Sequence, residues 1–131
     1  MARKHLKIIC SVELFPSDNK IDGGRLQDRI KLKNSIKRDA VILACKWCVD
    51  NKFLFNGKPM FEGQAEVTLT VFYKDKRRRD IHNLSIKTFL DQIVNYGFIA
   101  DDNIDFIPKT TLCFGGYTDK ESYAVFEIKE L

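Results

Sequence analysis

The residues of this sequence with the clearest capacity for chemistry lie between positions 76 and 102. The stretch opens with four consecutive cations: Lys76, Arg77, Arg78 and Arg79. Asp80 and His82 follow directly, and the acidic pair Asp101 and Asp102 ends the stretch. Carboxylates can hold a divalent cation that activates water and neutralises charge at phosphorus, while lysine and arginine bind backbone phosphates. These residue types therefore indicate metal-dependent chemistry on a phosphate backbone.

A helix must bring the two acidic groups together. Apolar residues spaced i, i+3, i+4 and i+7 predict a helix from about Leu84 to Tyr96 with one buried stripe. The stripe consists of Ile86, Phe89, Leu90, Ile93, Val94 and Gly97. Gly97 is a C-cap candidate, and the turn after it would return Asp101 and Asp102 toward the site.

Polar residues around this helix are predicted to face the same space. If the chain from Asp80 to His82 is extended, the two side chains point to the same side. Asn83, Lys87 and Asp91 form a separate polar stripe at i, i+4 and i+8. Asp91 is either a further metal ligand or the partner of Lys87 in an ordinary helix ion pair, and Lys87 could instead contact the scissile phosphate.

The segment KRRRDIHNLSIKTFLDQIVNYGFIADDN resembles the central motif of the RusA family of Holliday junction resolvases. Members of that family read roughly R-R-R-D-x-D-N-L-x-K, followed by a helix and a G-[FVI]-[FWI]-x-D-D segment. The FPSDN stretch from Phe15 to Asn19 is a weaker match to an N-terminal loop of the family. The resemblance implies a divalent-metal-dependent endodeoxyribonuclease that resolves four-way DNA junctions by paired nicks. It also implies a homodimer in the bacterial cytoplasm, of phage or prophage origin.

The resemblance also implies roles for individual residues. The expected metal ligands are Asp80, His82 and Asp102, with Asp101 adding a ligand or supporting one. Asp80, Asp102 and Lys87 are the expected catalytic residues. The expected DNA contacts come from these side chains: Lys76, Arg77, Arg78, Arg79, Asn83 and Lys87. Asp80 as a helix N-cap and Asp101–Asp102 as a turn are the simpler alternatives, but their combination with the arginine run favours the active site.

Two departures from the family pattern bear on activity. His82 stands where the family has a carboxylate, and Lys87 lies one place late, as though Ile86 were inserted. Imidazole suits Mn²⁺ better than Mg²⁺, which prefers oxygen ligands. We therefore expect Mg²⁺ or Mn²⁺ as the cofactor. The alternative is a catalytically impaired protein that binds branched DNA without cutting it.

Composition and length are consistent with one globular domain spanning residues 1–131. Hydrophobic residues make up 44% of the 131-residue chain, and the net charge is +4. The cations are concentrated in 25–38 and 74–79, where the first group is either a solvated helix face or a phosphate-binding surface. No membrane segment, signal peptide or small-molecule substrate is expected. Cys45 and Cys48 form a C-x-x-C inside a predicted helix, so they are expected to be ordinary reduced thiols.

Periodicity predicts an α/β (α+β) domain in the order β-α-β-α-β-β, with two main helices on one face of a mixed sheet of about four strands. Besides the helix described above, the predicted elements are strands Leu6–Leu14, Gln64–Tyr73, Ile104–Phe114 (interrupted by Pro108) and Ser122–Ile128, and a long helix Leu26–Asp50.

Overall fold

The computed structural model describes residues 4–17, 20–21 and 23–131, so Asp18 and Asn19 of the FPSDN stretch lie outside the described residues. Four strands and two helices follow in the predicted order. They are β1 (His5–Ser11), α1 (Leu26–Asp50), β2 (Ala65–Tyr73), α2 (Lys87–Tyr96), β3 (Lys109–Tyr117) and β4 (Tyr123–Glu130). The predicted fold class is confirmed.

The four strands form one mixed sheet in the order β1-β4-β2-β3. The last strand, β4, lies between β1 and β2 and runs antiparallel to both. The β2 and β3 strands are parallel, as expected when a helix connects two neighbouring strands. This arrangement leaves β3 at one edge of the sheet, beside the segment that carries the arginine run.

One face of the sheet is buried beneath the two helices. Alternate residues of β2 from Ala65 to Val71 are fully buried, as the period-two pattern predicts. Helix α1 contributes Ile36, Ala40 and Ala44 to this core, and α2 contributes Phe89, Leu90 and Ile93. In the part of the chain that the structure describes, no helix is both long and apolar enough to span a membrane.

Helix α2 begins three residues later than periodicity predicts. Ile81–Asn83 forms a short 3₁₀ turn, and the next two residues make tertiary contacts instead of helical ones. Leu84 pairs with Ser17 in an isolated β-bridge, and the Ser85 N–H donates to the carbonyl of Pro16 at 2.7 Å. These contacts keep Leu84 extended, so the helix starts only at Lys87.

Several strand boundaries also differ from the prediction: β3 continues to Tyr117 and β4 to Glu130, beyond the predicted ends at Phe114 and Ile128. Strand β1 ends at Ser11 because its hydroxyl accepts from the Glu13 N–H at 3.1 Å and caps a 3₁₀ helix over Val12–Leu14. Strand β3 begins only after Pro108, since the carbonyl of Asn103 closes a turn before it. Proline lacks the N–H that a strand ladder needs, so the predicted interruption becomes the strand's start.

A β-bulge interrupts the pairing of β2 with β3. Val71 pairs with Phe114, but the next residue of β2, Phe72, pairs with Gly116, which leaves Gly115 as an extra residue. A Cβ at Gly115 would lie 2.4 Å from Cζ of Phe72 and 2.8 Å from Cγ2 of Thr70. The Phe72 ring stacks on Tyr123 with centroids 4.6 Å apart, so it cannot turn away freely.

Gly115→Ala is therefore expected to lower the free energy of unfolding by about 1 to 3 kcal/mol, as overpacking usually does. Urea unfolding followed by circular dichroism measures the change. Gly63→Ala is the matched control, because a Cβ there meets nothing within 4 Å. Equal midpoints for the two variants would contradict the close approach at the bulge.

The four cysteines are free thiols. Cys45 and Cys48 lie within α1, as predicted, and not at the start of a helix where a redox pair would be activated. Burial raises the pKa of the Cys10 thiol to about 12, which keeps it protonated and unreactive at neutral pH.

Candidate active site

A cavity of about 500 Å³ lies where α1 and α2 meet, and its lining is rich in charged side chains. The charged lining residues are Lys33, Lys37, Lys87, Asp91, Asp101 and Asp102. We call this feature the α1–α2 cavity. Lys33 and Lys37 belong to the cationic side of α1, so part of that side faces this cavity.

The end of α2 returns the acidic pair to this cavity, as the sequence predicts. Gly97 adopts a left-handed conformation (φ 116°) and its N–H bonds back to the last turn of the helix. Phe98 and Ile99 are then buried, and the Phe61 N–H donates to the Phe98 carbonyl at 2.9 Å. This anchored turn leads directly into Asp101 and Asp102.

Asp102, Asp91 and Lys87 form a compact group in the cavity. The Lys87 Nζ lies 3.4 Å from Oδ1 of Asp91 and 3.5 Å from Oδ2 of Asp102. Burial and a hydrogen bond with Asp102 raise the pKa of Asp91. The same hydrogen bond, with Lys87 close by, lowers the pKa of Asp102. The two carboxyl groups are adjacent because both lie within 3.5 Å of the same Lys87 Nζ. Of the two, Asp102 is the one that stays ionised more readily.

Asp101 supports Asp102 through the local backbone. Its Oδ1 accepts from the Asp102 N–H at 2.7 Å, and its Oδ2 accepts from Nδ2 of Asn103 at 3.3 Å. Asp101 therefore orders a turn, as its simpler interpretation predicts, and it also lines the α1–α2 cavity, while its role at a metal stays a prediction.

Asp80 and His82 occupy a different local geometry from the one assumed for them. The Asn83 N–H donates to the Asp80 carbonyl at 3.2 Å and closes the 3₁₀ turn, so the Asp80–His82 segment is not extended. Both side chains are exposed, and neither is among the described residues that line the α1–α2 cavity. The Asp80 side chain makes no N-cap hydrogen bond with the described residues.

The donor set suits a hard divalent cation only in part. Within residues 4–17, 20–21 and 23–131, no group of three or more histidine, cysteine, aspartate or glutamate side chains is placed to hold a metal ion. Asp91 and Asp102 offer two carboxylates, a number that Mg²⁺ accepts when water and phosphate oxygens fill its remaining positions, but here both contact the Lys87 ammonium.

The basic run adjoins a second cavity, of about 340 Å³, at the edge formed by β3. Its lining combines cations with rings: Tyr73, Lys76, Arg77, Arg78, Arg79, Ile81, Phe114 and Tyr117. We call this lining the aromatic–basic surface. Asn83, the remaining predicted DNA contact, is exposed in the 3₁₀ turn that follows the run.

Arg79 fixes the shape of the basic run. Its guanidinium lies 4.0 Å from the centre of the Tyr73 ring and 2.8 Å from Oδ1 of Asp75. It also donates to the carbonyls of Asp75 and Arg77 at 3.0 and 3.2 Å. Arg79 therefore serves mainly to order the loop, whereas Arg77 and Arg78 are exposed.

Some residues of the α1–α2 cavity and of the aromatic–basic surface could not be identified from the sequence. The i, i+4 spacing from Lys87 marks Asp91 as an ion-pair partner, and that pair is present, but the spacing cannot show its contact with Asp102. Phe114 and Tyr117 read as ordinary strand residues, because their placement depends on the bulge at Gly115.

Comparison with known proteins adds no assignment to this geometry. A scan against protein-family models gives no match, and a search of curated proteins gives no significant match. The likeness of the central segment to RusA proteins therefore rests on the residues that carry it.

Proposed function

We propose that the chain is a divalent-metal-dependent endodeoxyribonuclease of the RusA type that cuts four-way DNA junctions. The observation that carries the proposal is the adjacent pair Asp91 and Asp102, held beside Lys87 in a cavity with further lysines. Paired carboxylates next to cations suit hydrolysis of a phosphodiester. The carboxylates can hold a metal ion, and the metal and the positive side chains can both bind oxygens of the phosphate.

Asp102 and Asp91 would hold the metal, with Mg²⁺ as the first candidate and Mn²⁺ as the second. When bound, the metal would polarise the phosphate and activate the attacking water. Interaction with both carboxylates raises the pKa of Lys87, so this side chain stays protonated and can bind a phosphate oxygen. The resemblance assigns Asp80 and His82 as further ligands, although neither lines the α1–α2 cavity in this structure. Asp101 orders the backbone of Asp102.

The partners follow from the resemblance and from charge. Lys76, Arg77 and Arg78 would bind backbone phosphates, which supplies affinity without reading the base sequence. A homodimer would place two sites on one junction and nick opposite strands symmetrically. The bacterial cytoplasm, with a phage or prophage gene, is the proposed setting, and the role is in DNA recombination and repair.

A non-cutting binder of branched DNA is the second candidate. It is favoured by His82 in place of a carboxylate and by the absence, among the described residues, of a ready three-ligand metal group. Both candidates share the fold and the basic surface, so only a cleavage assay separates them.

The deciding experiment is cleavage of a synthetic four-way junction beside a matched linear duplex, in Mg²⁺ and in Mn²⁺. We expect paired nicks on the junction, faster in Mn²⁺ because imidazole at position 82 suits that ion better. Asp80→Asn should abolish the nicks, and His82→Asp should shift the preference toward Mg²⁺. Tight junction binding without nicks, with cutting gained in His82→Asp, would instead support the binder.

A further inference from the structure

The aromatic–basic surface presents two rings to solvent at the edge of the sheet. Phe114 is 50% exposed and Tyr117 is 52% exposed, although both belong to a strand of the central sheet. Their ring centroids lie 5.1 Å apart, and Phe114 stacks on Tyr73 at 6.3 Å. Single exposed apolar residues need no explanation, but a continuous group of rings beside a cationic run does.

The bulge creates this group of rings. In a regular strand, residues 114 and 117 are three positions apart and would lie on opposite faces of the sheet. The extra residue Gly115 shifts the register, so that Phe114 pairs with Val71 and Tyr117 pairs with Tyr73. Val71 and Tyr73 lie on one face because they are two positions apart. Both exposed rings therefore lie on one side of β3, toward the basic run.

Cations border the rings on the outer side. Lys76 places its Nζ 5.8 Å from the centre of the Tyr117 ring, and Arg77 and Arg78 line the same cavity. Asp75 forms ion pairs with Arg79 and Arg77, so its negative charge is balanced within the loop. The outer surface is therefore positively charged and aromatic. It is complementary to a nucleic-acid strand, which has a negative phosphate backbone and bases with flat faces.

We propose that Phe114 and Tyr117 stack against unpaired bases of the DNA while Lys76, Arg77 and Arg78 hold the adjoining phosphates. Proteins that bind single strands combine a positive surface for the backbone with aromatic side chains on which bases stack. A fully paired duplex keeps its bases stacked inside the helix, so this surface selects DNA in which bases have left the duplex. The proposal rests on the proposed function for the choice of DNA as the ligand, but it does not require cleavage.

The test compares oligonucleotides that have the same phosphates but differ in their bases. Fluorescence anisotropy would measure binding of a single-stranded DNA of about twelve nucleotides, the same strand with several abasic sites, and the paired duplex. We expect the wild type to bind the base-bearing strand roughly tenfold more tightly than the abasic strand, as stacking of one or two bases would give. Equal affinity for the two strands in the wild type would overturn the proposal without reference to any variant.

Variants then assign the preference to the rings. The double change Phe114→Leu and Tyr117→Leu should bring the affinity for the base-bearing strand down to that for the abasic strand. The double change Arg77→Ala and Arg78→Ala should weaken the binding of the base-bearing and abasic strands by the same factor. Phe55→Leu is the matched control, because Phe55 is another exposed ring, 37% exposed, that packs with Tyr96 outside the aromatic–basic surface. A preference that survives the double change would overturn the assignment to these rings.

Two further outcomes separate this proposal from the proposed function. Loss of junction cleavage in every metal, with the preference for base-bearing strands intact, would refute the nuclease and support the stacking surface. Junction cleavage without a preference for base-bearing strands would support the nuclease and refute the stacking surface. An RNA strand of matched sequence that binds more tightly than the DNA strand would overturn the assignment of DNA as the ligand.

Discussion

Asp102→Asn is expected to reduce junction cleavage by roughly 100-fold or more, because a metal that is no longer held cannot stabilise the charge of the transition state. The Asp102 carboxylate is ionised, because hydrogen bonds from its neighbours and the charge of Lys87 lower its pKa. Asparagine keeps the shape of the side chain but carries no charge, so it attracts neither a divalent cation nor Lys87. Initial rates of nicking in Mg²⁺ and Mn²⁺ measure the loss.

Asp105→Asn is the matched control for this prediction. Asp105 follows three residues later, is exposed, and is not among the residues lining the α1–α2 cavity. The control should keep its rate within about twofold of the wild type. Asp91→Asn discriminates further, since its amide can still donate to Asp102 while the second negative charge is lost. A full rate in both Asp91→Asn and Asp102→Asn would exclude this pair as the metal site.

Phe126→Ala is expected to lower the free energy of unfolding by about 3 to 5 kcal/mol, the range for removing a buried aromatic ring. Phe126 is fully buried at the centre of β4, where its ring lies 4.9 Å from Phe89 of α2 and 6.4 Å from Phe15. These three rings join the sheet, α2 and the chain that follows β1. The loss is a large fraction of the stability of an ordinary domain, so the urea midpoint should fall steeply.

Phe114→Ala removes the same ring from a half-exposed position on the aromatic–basic surface. Its cost should be about 1 kcal/mol or less, because surface changes rarely exceed that. The contrast between the two variants isolates the contribution of burial. Similar urea midpoints for Phe126→Ala and Phe114→Ala would contradict the central position of the three-ring cluster.

Regular periodic patterns predicted most of the fold. Helix α1 has the predicted bounds, Leu26–Asp50, because an uninterrupted stripe of small and apolar residues continues along it. Strand β2 is predicted to within a residue for the same reason. The predicted start of α2 was wrong, because the actual start depends on contacts from Leu84 and Ser85 to the distant residues Ser17 and Pro16. Periodicity contains no information about such contacts.

The candidate site was predictable where it depends on local geometry. The pairing of Lys87 with Asp91 follows from helical spacing, and the return of Asp102 follows from a glycine that ends the helix. The contact of Asp91 with Asp102 depends on how firmly Phe98 and Ile99 anchor the turn, which no spacing rule contains. Asp80 and His82 were assumed to be extended, and the 3₁₀ turn overturns that assumption while leaving their roles as predictions.

The bulge at Gly115 has a consequence for how this chain can change over generations. A substitution at position 114 or 117 alters one ring, whereas deleting a single residue between them would carry the end of β3 to the other face of the sheet. At positions 114 and 117 segment length is therefore more strictly constrained than residue identity, whereas Gly115 also has no room for a Cβ. Variants of this chain, natural or selected in the laboratory, should accept new side chains at 114 and 117 far more readily than a one-residue gap between them.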